Sequence, residues 1–470
     1  MFKDRAYFYN ITFKSMIDFS YAIFENEVHF CNTYFESVVH FSFTKFKGVC
    51  DFSNTKFLAT QKKEERNRIC FDDTEFEDIV HFYSAKFESK VLFCKSVFKS
   101  KVNFNGAEFS TSHYDDAEIN NFDNVTFESD AWFNDIIFNS SVLFSKCEYK
   151  GNIYMRNITS KQQLYFYESL FLSNVYFNNS HFKDYVNFCE CEFEKTACFY
   201  GVKFDKTPNF SQAIFKGNLN VVNTNLNFTF DDLQERIKQE YENFNKDIKE
   251  KENKKPLDKF ANDFRDSFRT FKNALIKDNN LLDASNFHKY ELYCKEIELK
   301  NKKGKTFKDV VDRWQLLFYR KLCDHHTNLI LNLKWFIVIV GFFTSILFGL
   351  RYGDGNLMQF FNKDSDLLKM LKNILNIKAL NDSNATYLIL LYSFIGLFFV
   401  RTFFIFYYLV IFILMLAISP YNLFTMINFA IRHETNSFLE NIIIIIYTLS
   451  IVLIIFSLQK TARKNSIVPS

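Results

Sequence analysis

An aromatic side chain returns along the first half of this chain at intervals that alternate five and six residues: Phe30, Phe35, Phe41, Phe46, Phe52, Phe57. Two intervals make an eleven-residue internal repeat, and a repeat of that kind dictates an architecture of stacked units. The beat starts at Phe8, returns from Phe71 to Phe109, from Phe122 to Tyr149 and from Phe166 to Phe215, and fades near Val221. Two residues before the aromatics stand small or β-branched side chains such as Val28, Thr33, Val39, Thr44, Thr55, Val80, Ala85 and Val186. One large and one small inward position per short segment describe a wall whose side chains alternate in and out.

An eleven-residue period also occurs in right-handed helical coiled coils. A helix turns about 100° per residue, so rings five apart would lie roughly 140° apart and form no single stripe. The abundance of Phe, Val, Thr and Asn favours strands and turns instead. A β-solenoid with a corner after each aromatic satisfies the spacing.

The stretches Val28-His-Phe-Cys-Asn-Thr-Tyr-Phe35, Val80-His-Phe-Tyr-Ser-Ala-Lys-Phe87 and Val186-Asn-Phe-Cys-Glu-Cys-Glu-Phe193 resemble the Phe-centred variant of the pentapeptide-repeat family. The resemblance covers residues 8–225. It implies a mainly β, right-handed quadrilateral β-helix in which two eleven-residue units close one coil. The rings of Phe30, Phe35, Phe41, Phe46, Phe82, Phe87, Phe188 and Phe193 would then form its core. Some nine coils, stacked about 4.8 Å apart, give a rod of roughly 40 Å. Two insertions, Gln61–Arg68 and Thr111–Asn120, add eight and seven residues and are expected to bulge from coil corners.

The chain of 470 residues has a second character in its C-terminal third. Trp335–Leu350, Tyr387–Val400, Thr402–Ile418 and Asn441–Leu458 are nearly free of charge and approach membrane-spanning length. No apolar leader opens the chain, and Lys and Arg crowd residues 295–321, which puts the N-terminal repeat on the cytoplasmic side. Lys460, Arg463 and Lys464 place the C-terminus there too, as a basic tail over 461–470, so an even number of crossings is expected. Arg401 decides the count: a tight hairpin there gives four spans, a single kinked helix three. A charge between apolar runs is itself a functional candidate unless it snorkels to an interface. Residues 357–375 carry an amphipathic pattern suited to a membrane face.

Residues 226–330 form the neck between repeat and apolar region (331–460). Phe260, Phe264, Phe268, Phe271 and Leu275 line one face of a predicted helix, Asp278-Asn-Asn280 makes a turn, and Leu282–Lys300 returns with Ala284, Phe287, Tyr290, Leu292 and Ile297 inward. This helical hairpin resembles the one preceding the transmembrane region in membrane-anchored pentapeptide-repeat proteins.

Signals for chemistry are sparse. With 11 Gly there is no phosphate loop. His29, His40 and His81 are read as solvated imidazoles, and the adjacent His325 and His326 diverge too far to share a metal. Cys50, Cys147 and Cys191 are assigned to core packing, so no catalytic, cofactor or metal residue is expected. Residues 1–222 carry 24 basic against 29 acidic side chains, a difference of −5. That mixture does not imitate nucleic acid, as topoisomerase-protecting members of the family are thought to do, and no nucleic-acid partner is expected.

The expected function is a non-enzymatic scaffold of a bacterial inner membrane, multi-pass, whose partners are the bilayer and a protein, with self-association allowed. Enrichment in Lys, Asn, Ile and Phe points to an AT-rich bacterial genome. The alternative is a channel or transporter-like protein with the rod as sensor or assembly platform. Arg351-Tyr-Gly-Asp-Gly355 only superficially matches a potassium filter, because Arg351 would repel the ion.

Overall fold

In the computed structural model, residues 1–58, 68–110, 119–246, 254–352 and 438–463 are described, with the single residues 248 and 409. Residues 1–226 form a parallel β-solenoid with four faces. Most strands are two residues long: the first residue points inward when it is the small one, and the aromatic ends the next strand. The first face runs from Ala6–Tyr7 to Leu219–Asn220 and the second from Thr12–Phe13 to Asn225–Leu226, each with ten strands. The third, Ile17–Asp18 to Val186–Asn187, has eight; the fourth, Ile23–Phe24 to Ile214–Phe215, has nine. Pairing is in register from coil to coil, as in Ala6↔Val28 and Phe13↔Phe35.

Four columns of rings fill the interior. Phe30 stacks on Phe52 at 4.9 Å and 2°, and Phe35 on Phe57 at 5.2 Å and 4°. Neighbouring columns meet edge to face, as Phe41 and Phe52 do at 5.6 Å and 80°. Stacked and T-shaped pairs are the arrangements that ring quadrupoles favour. The eight expected core rings are all buried, at 0–1 % exposure. The apparent gap in the beat after Tyr149 is filled by buried Met155 and Ser160, so the solenoid does not pause there. It also begins before Phe8, with a bridge between Phe2 and Phe24.

The small inward position has a second duty. Thr55 Oγ1 donates to Phe30 O at 2.8 Å, Ser169 Oγ to Phe144 O at 2.8 Å and Cys191 Sγ to Phe166 O at 2.8 Å. A hydroxyl or thiol there satisfies a buried carbonyl of the coil below, which explains why Thr, Ser and Cys alternate with Val and Ala. The corner after the first- or third-face aromatic is a tight turn, exemplified by Thr33 N donating to Phe30 O at 3.1 Å with Asn32 at φ 54°. Positive φ recurs at this position through the solenoid, often at Asn but also at Tyr21, Phe43, Lys95 and Lys146.

Both insertions leave the second face and rejoin the third, two coils apart. Val39↔Ile69 skips eight residues more than Ile17↔Val39, and Leu92↔Asn121 seven more than Cys70↔Leu92. The expected lengths and corner placement therefore hold, while residues 59–67 and 111–118 lie outside the described residues.

Three helices follow: α1 (Phe230–Asn245), α2 (Leu257–Lys277) and α3 (Leu281–Asn301). Thr229 and Asp232 form a reciprocal capping box that starts α1. The α2–α3 turn falls at Asp278–Asn280, with Asn279 at φ 58° and the Asn280 side chain capping α3. Phe271 packs its ring 4.8 Å from Phe210, and Tyr290 Oη donates to Leu226 O at 2.9 Å, so the hairpin covers the last coil. The expectation for Leu292 is corrected: it is half-exposed, and Tyr293 and Cys294 are buried instead. The reason is that α3 also packs on α1, where the Phe230 and Tyr293 rings meet at 5.3 Å. Burial alone would raise the Glu291 carboxyl, but hydrogen bonds from His288, Lys272 and Arg269 outweigh it and hold the group at about 2.

The chain divides into two compact units between Trp314 and Gln315, inside α4 (Phe307–Cys323). In the second unit α5 (Leu329–Tyr352) packs on α6 (Phe438–Ala462) through Phe343 and Tyr447 at 5.2 Å and through the buried pair Asn332 and Ser457, joined at 2.8 Å. Among the described residues one helix segment, Asn441–Ala462, is long and apolar enough to cross a membrane, and Leu329–Phe343 is a shorter apolar stretch. Apart from residue 409, the expected runs 387–400 and 402–418, the amphipathic stretch 357–375 and Arg401 lie outside the described residues.

Candidate functional site

A two-residue strand turns its first side chain inward on the first face and its second outward. Register then stacks the outward residues in one column: Tyr7, His29, Asp51, His81, Asn103, Trp132, Tyr154 and Tyr176. Tyr7, His29 and His81 lie towards one end, and Trp132, Tyr154 and Tyr176 towards the other. Trp132 stacks on Tyr154 at 5.7 Å and Tyr154 on Tyr176 at 5.3 Å, and the Arg156 guanidinium lies 5.0 Å from both tyrosine centroids. Between the two groups is an open cavity of about 280 Å³ lined by Ile79, His81, Lys101, Asn103, Asn105 and Trp132. It offers an aromatic wall, a cation and amide groups on an unyielding frame.

Next to this column, the corner carries a polar ladder. Asn152 Nδ2 donates to Asp130 Oδ1 at 3.1 Å and Asn174 Nδ2 to Asn152 Oδ1 at 3.0 Å. The fourth face is different, because its charges satisfy each other across coils. Lys45 bridges Glu75 and Glu77 at 3.0 and 2.7 Å, Lys99 also engages Glu75, and Lys47 meets Glu25 at 2.8 Å.

The sequence-predicted residues fall as follows. Cys50, Cys147 and Cys191 are core residues with buried thiols. His326 faces Cys323, Ser457 and Thr461 at 3.5, 3.4 and 3.4 Å, beside His325 at a turn of positive φ. His29, His40 and His81 are half-buried on the outer surface, as expected, but His29 is not solitary. It is grouped with Cys31 and Asp51, a set that the linear sequence does not bring together. A signal for it exists: His29 and Asp51 are one coil apart, and stacking the sequence in 22-residue rows aligns them.

A different surface is carried by α4. Phe307, Val310, Val311, Trp314 and Phe318 repeat at helical spacing and are exposed, Phe307 to 85 % and Trp314 to 65 %. Asp312, Arg313 and Arg320 on the other side are half-buried. This helix shows its apolar stripe outward, the reverse of an ordinary surface helix.

No protein-family model, curated protein or solved structure matches the chain. Its identity as a four-faced parallel β-solenoid of about nine coils, followed by helices, rests on the strand register and the ring columns themselves.

Proposed function

We propose that the chain is a membrane-anchored, non-enzymatic scaffold of the pentapeptide-repeat type, which presents the first face of its solenoid to a protein partner. The observation that carries the interaction face is the shallow, open depression beside Trp132, which brings an aromatic side chain, Lys101 and amide groups together on a rigid frame. Aromatic anchors in pockets on rigid elements are where binding energy concentrates. Two features support anchoring: the apolar helix Asn441–Ala462 and the outward stripe of α4, whose Trp314 and neighbouring Lys308 and Lys321 suit a membrane–water boundary. The Lys and Arg density of residues 295–321 and the apolar runs at 387–418 favour a multi-pass protein of a bacterial inner membrane with the solenoid in the cytoplasm.

The test places a photo-crosslinking residue at Trp132 and, separately, at Glu148 on the fourth face of the full chain in native membranes. A discrete protein adduct from position 132 alone is expected, with the chain resisting alkaline carbonate extraction. Equal adducts from both faces would remove the interaction face, and extraction by carbonate would remove the anchor. Selective ion flux through the purified protein in liposomes would replace the scaffold with a channel.

A further inference from the structure

Three side chains of metal-ligand type converge on the first face, next to the depression beside Trp132, whose His81 pairs in register with Asp51. His29 holds the outward strand position, Cys31 follows at the corner, and Asp51 stands one coil on in the column of His29. One donor atom from each lies within 4.8 Å of the others. Cys31 Sγ donates to Asp51 Oδ2 at 2.9 Å, while Asp51 Oδ1 accepts from Ser53 N at 2.8 Å. The second contact is the solenoid's ordinary corner hydrogen bond, repeated by Asp18 with Ser20, Asn103 with Asn105 and Asn187 with Cys189. One carboxylate oxygen therefore serves the fold, and the other is turned to the thiol. The Tyr7 ring stacks on His29 at 5.3 Å and 9° and holds the plane of the imidazole.

The equivalent positions on neighbouring coils do not reproduce this set. They are Tyr7, Tyr9 and His29 on one side, and Asp51, Ser53 and His81 on the other. The combination of sulfur, nitrogen and oxygen occurs where one coil supplies His and Cys and the next supplies a carboxylate.

We propose that His29, Cys31 and Asp51 form a binding site for a zinc-class divalent cation, with a fourth coordination position left to water. Thiolate, imidazole and carboxylate are the donors that a borderline-soft ion of tetrahedral preference takes. A tetrahedral zinc holds its donor atoms roughly 3.5 Å apart, so the three need only a small closure. Without a cation the Cys31 thiol donates its hydrogen to Asp51 Oδ2. Binding replaces the S–H bond with a sulfur–metal bond and releases the proton to solvent. The assignment is independent of the scaffold proposal.

The test titrates the purified full chain, in detergent and after chelator treatment, with cobalt(II) alone. One equivalent is expected to give thiolate-to-cobalt charge transfer in the near ultraviolet and four-coordinate bands in the visible, both abolished by added zinc. Cys31→Ser removes the charge-transfer band, whereas Cys189→Ser, at another half-buried thiol, keeps it. Asp51→Asn removes a direct anionic ligand and weakens binding by more than the roughly 10–100-fold lost when only a metal's supporting groups are disturbed. Circular dichroism checks that each variant is folded, and His29→Gln supplies a second ligand variant with the same expected loss. Absence of the charge-transfer band in the parent chain, or its persistence in Cys31→Ser, would overturn the site.

Discussion

The solenoid and the helices α4–α6 sort their side chains in opposite senses. In the solenoid the stacked rings of the four columns, such as Phe30, Phe52, Phe82 and Phe188, point in, and much of the outer surface carries Lys, Glu, Asn and Asp that pair across coils. On α6, Ile445, Leu449, Leu453 and Phe456 are exposed while Ser457 and Thr461 are buried against Asn332. Water rewards the first arrangement because apolar area leaves solvent. The second is stable where the surroundings are themselves apolar and polar groups find partners only between helices. One chain thus carries two patterns of side-chain sorting, and α4, which turns its aromatics outward, shares the pattern of α6.

The sharpest way to break this contrast is to place the same charge on both surfaces. Phe188→Asp puts a carboxylate between Phe166 and Phe210, stacked at 4.8 and 4.7 Å, in a site with 0 % exposure. An unpaired buried charge costs several kcal/mol, so the variant should lose its cooperative melt and its protease resistance. An unchanged circular dichroism melt would count against the ring columns as the source of stability.

Leu449→Asp makes the same change at a side chain that is 60 % exposed. In water such a surface substitution is worth within about 0.5 kcal/mol. At the centre of a membrane helix it costs about 2.5–3.5 kcal/mol. The expected result is loss from the carbonate-resistant membrane fraction with the solenoid melt intact. Retention in membranes would place α6 in contact with water or protein rather than lipid.

The mildest test concerns the corners. Lys95 adopts φ 59° on an exposed turn, a conformation that costs a side chain with a Cβ roughly 1–2 kcal/mol and that Asn tolerates better. Lys95→Asn should raise stability by about 0.5 kcal/mol, read from the denaturation midpoint of the full chain. A lower midpoint would show that the lysine has a role the turn geometry does not reveal.

The solenoid was legible because its signal is a period in the largest apolar side chain, and periods survive local noise. The signal faded where chemistry changed without changing position: Met155 and Ser160 occupy ring sites that a search for aromatics passes over. The α2–α3 hairpin was legible from apolar spacing and the Asn279–Asn280 turn. Leu292 departs from its expected place because α3 packs on two neighbours, which widens and rotates its buried arc. Helix α4 was hidden by its own Lys and Arg, which read as a topology signal and mask the spacing of Phe307, Val311, Trp314 and Phe318. The column Tyr7, His29, Asp51, His81 was not legible because its members are neighbours only after the chain has travelled a full coil.

The in-register pairing has a consequence for how such a protein changes size. Ile153 pairs with Val175 and Val175 with Ala197, each step bringing an equivalent residue to an equivalent place. Excising residues 175–196 would set Ala197 directly above Ile153, with every inward and outward assignment preserved. Length is therefore quantised: the molecule can gain or lose one storey at a time, but not a fraction of one. Extra residues that do not amount to a storey have to fall between two strands, and both departures from the period in this chain fall at the same corner, between the second face and the third.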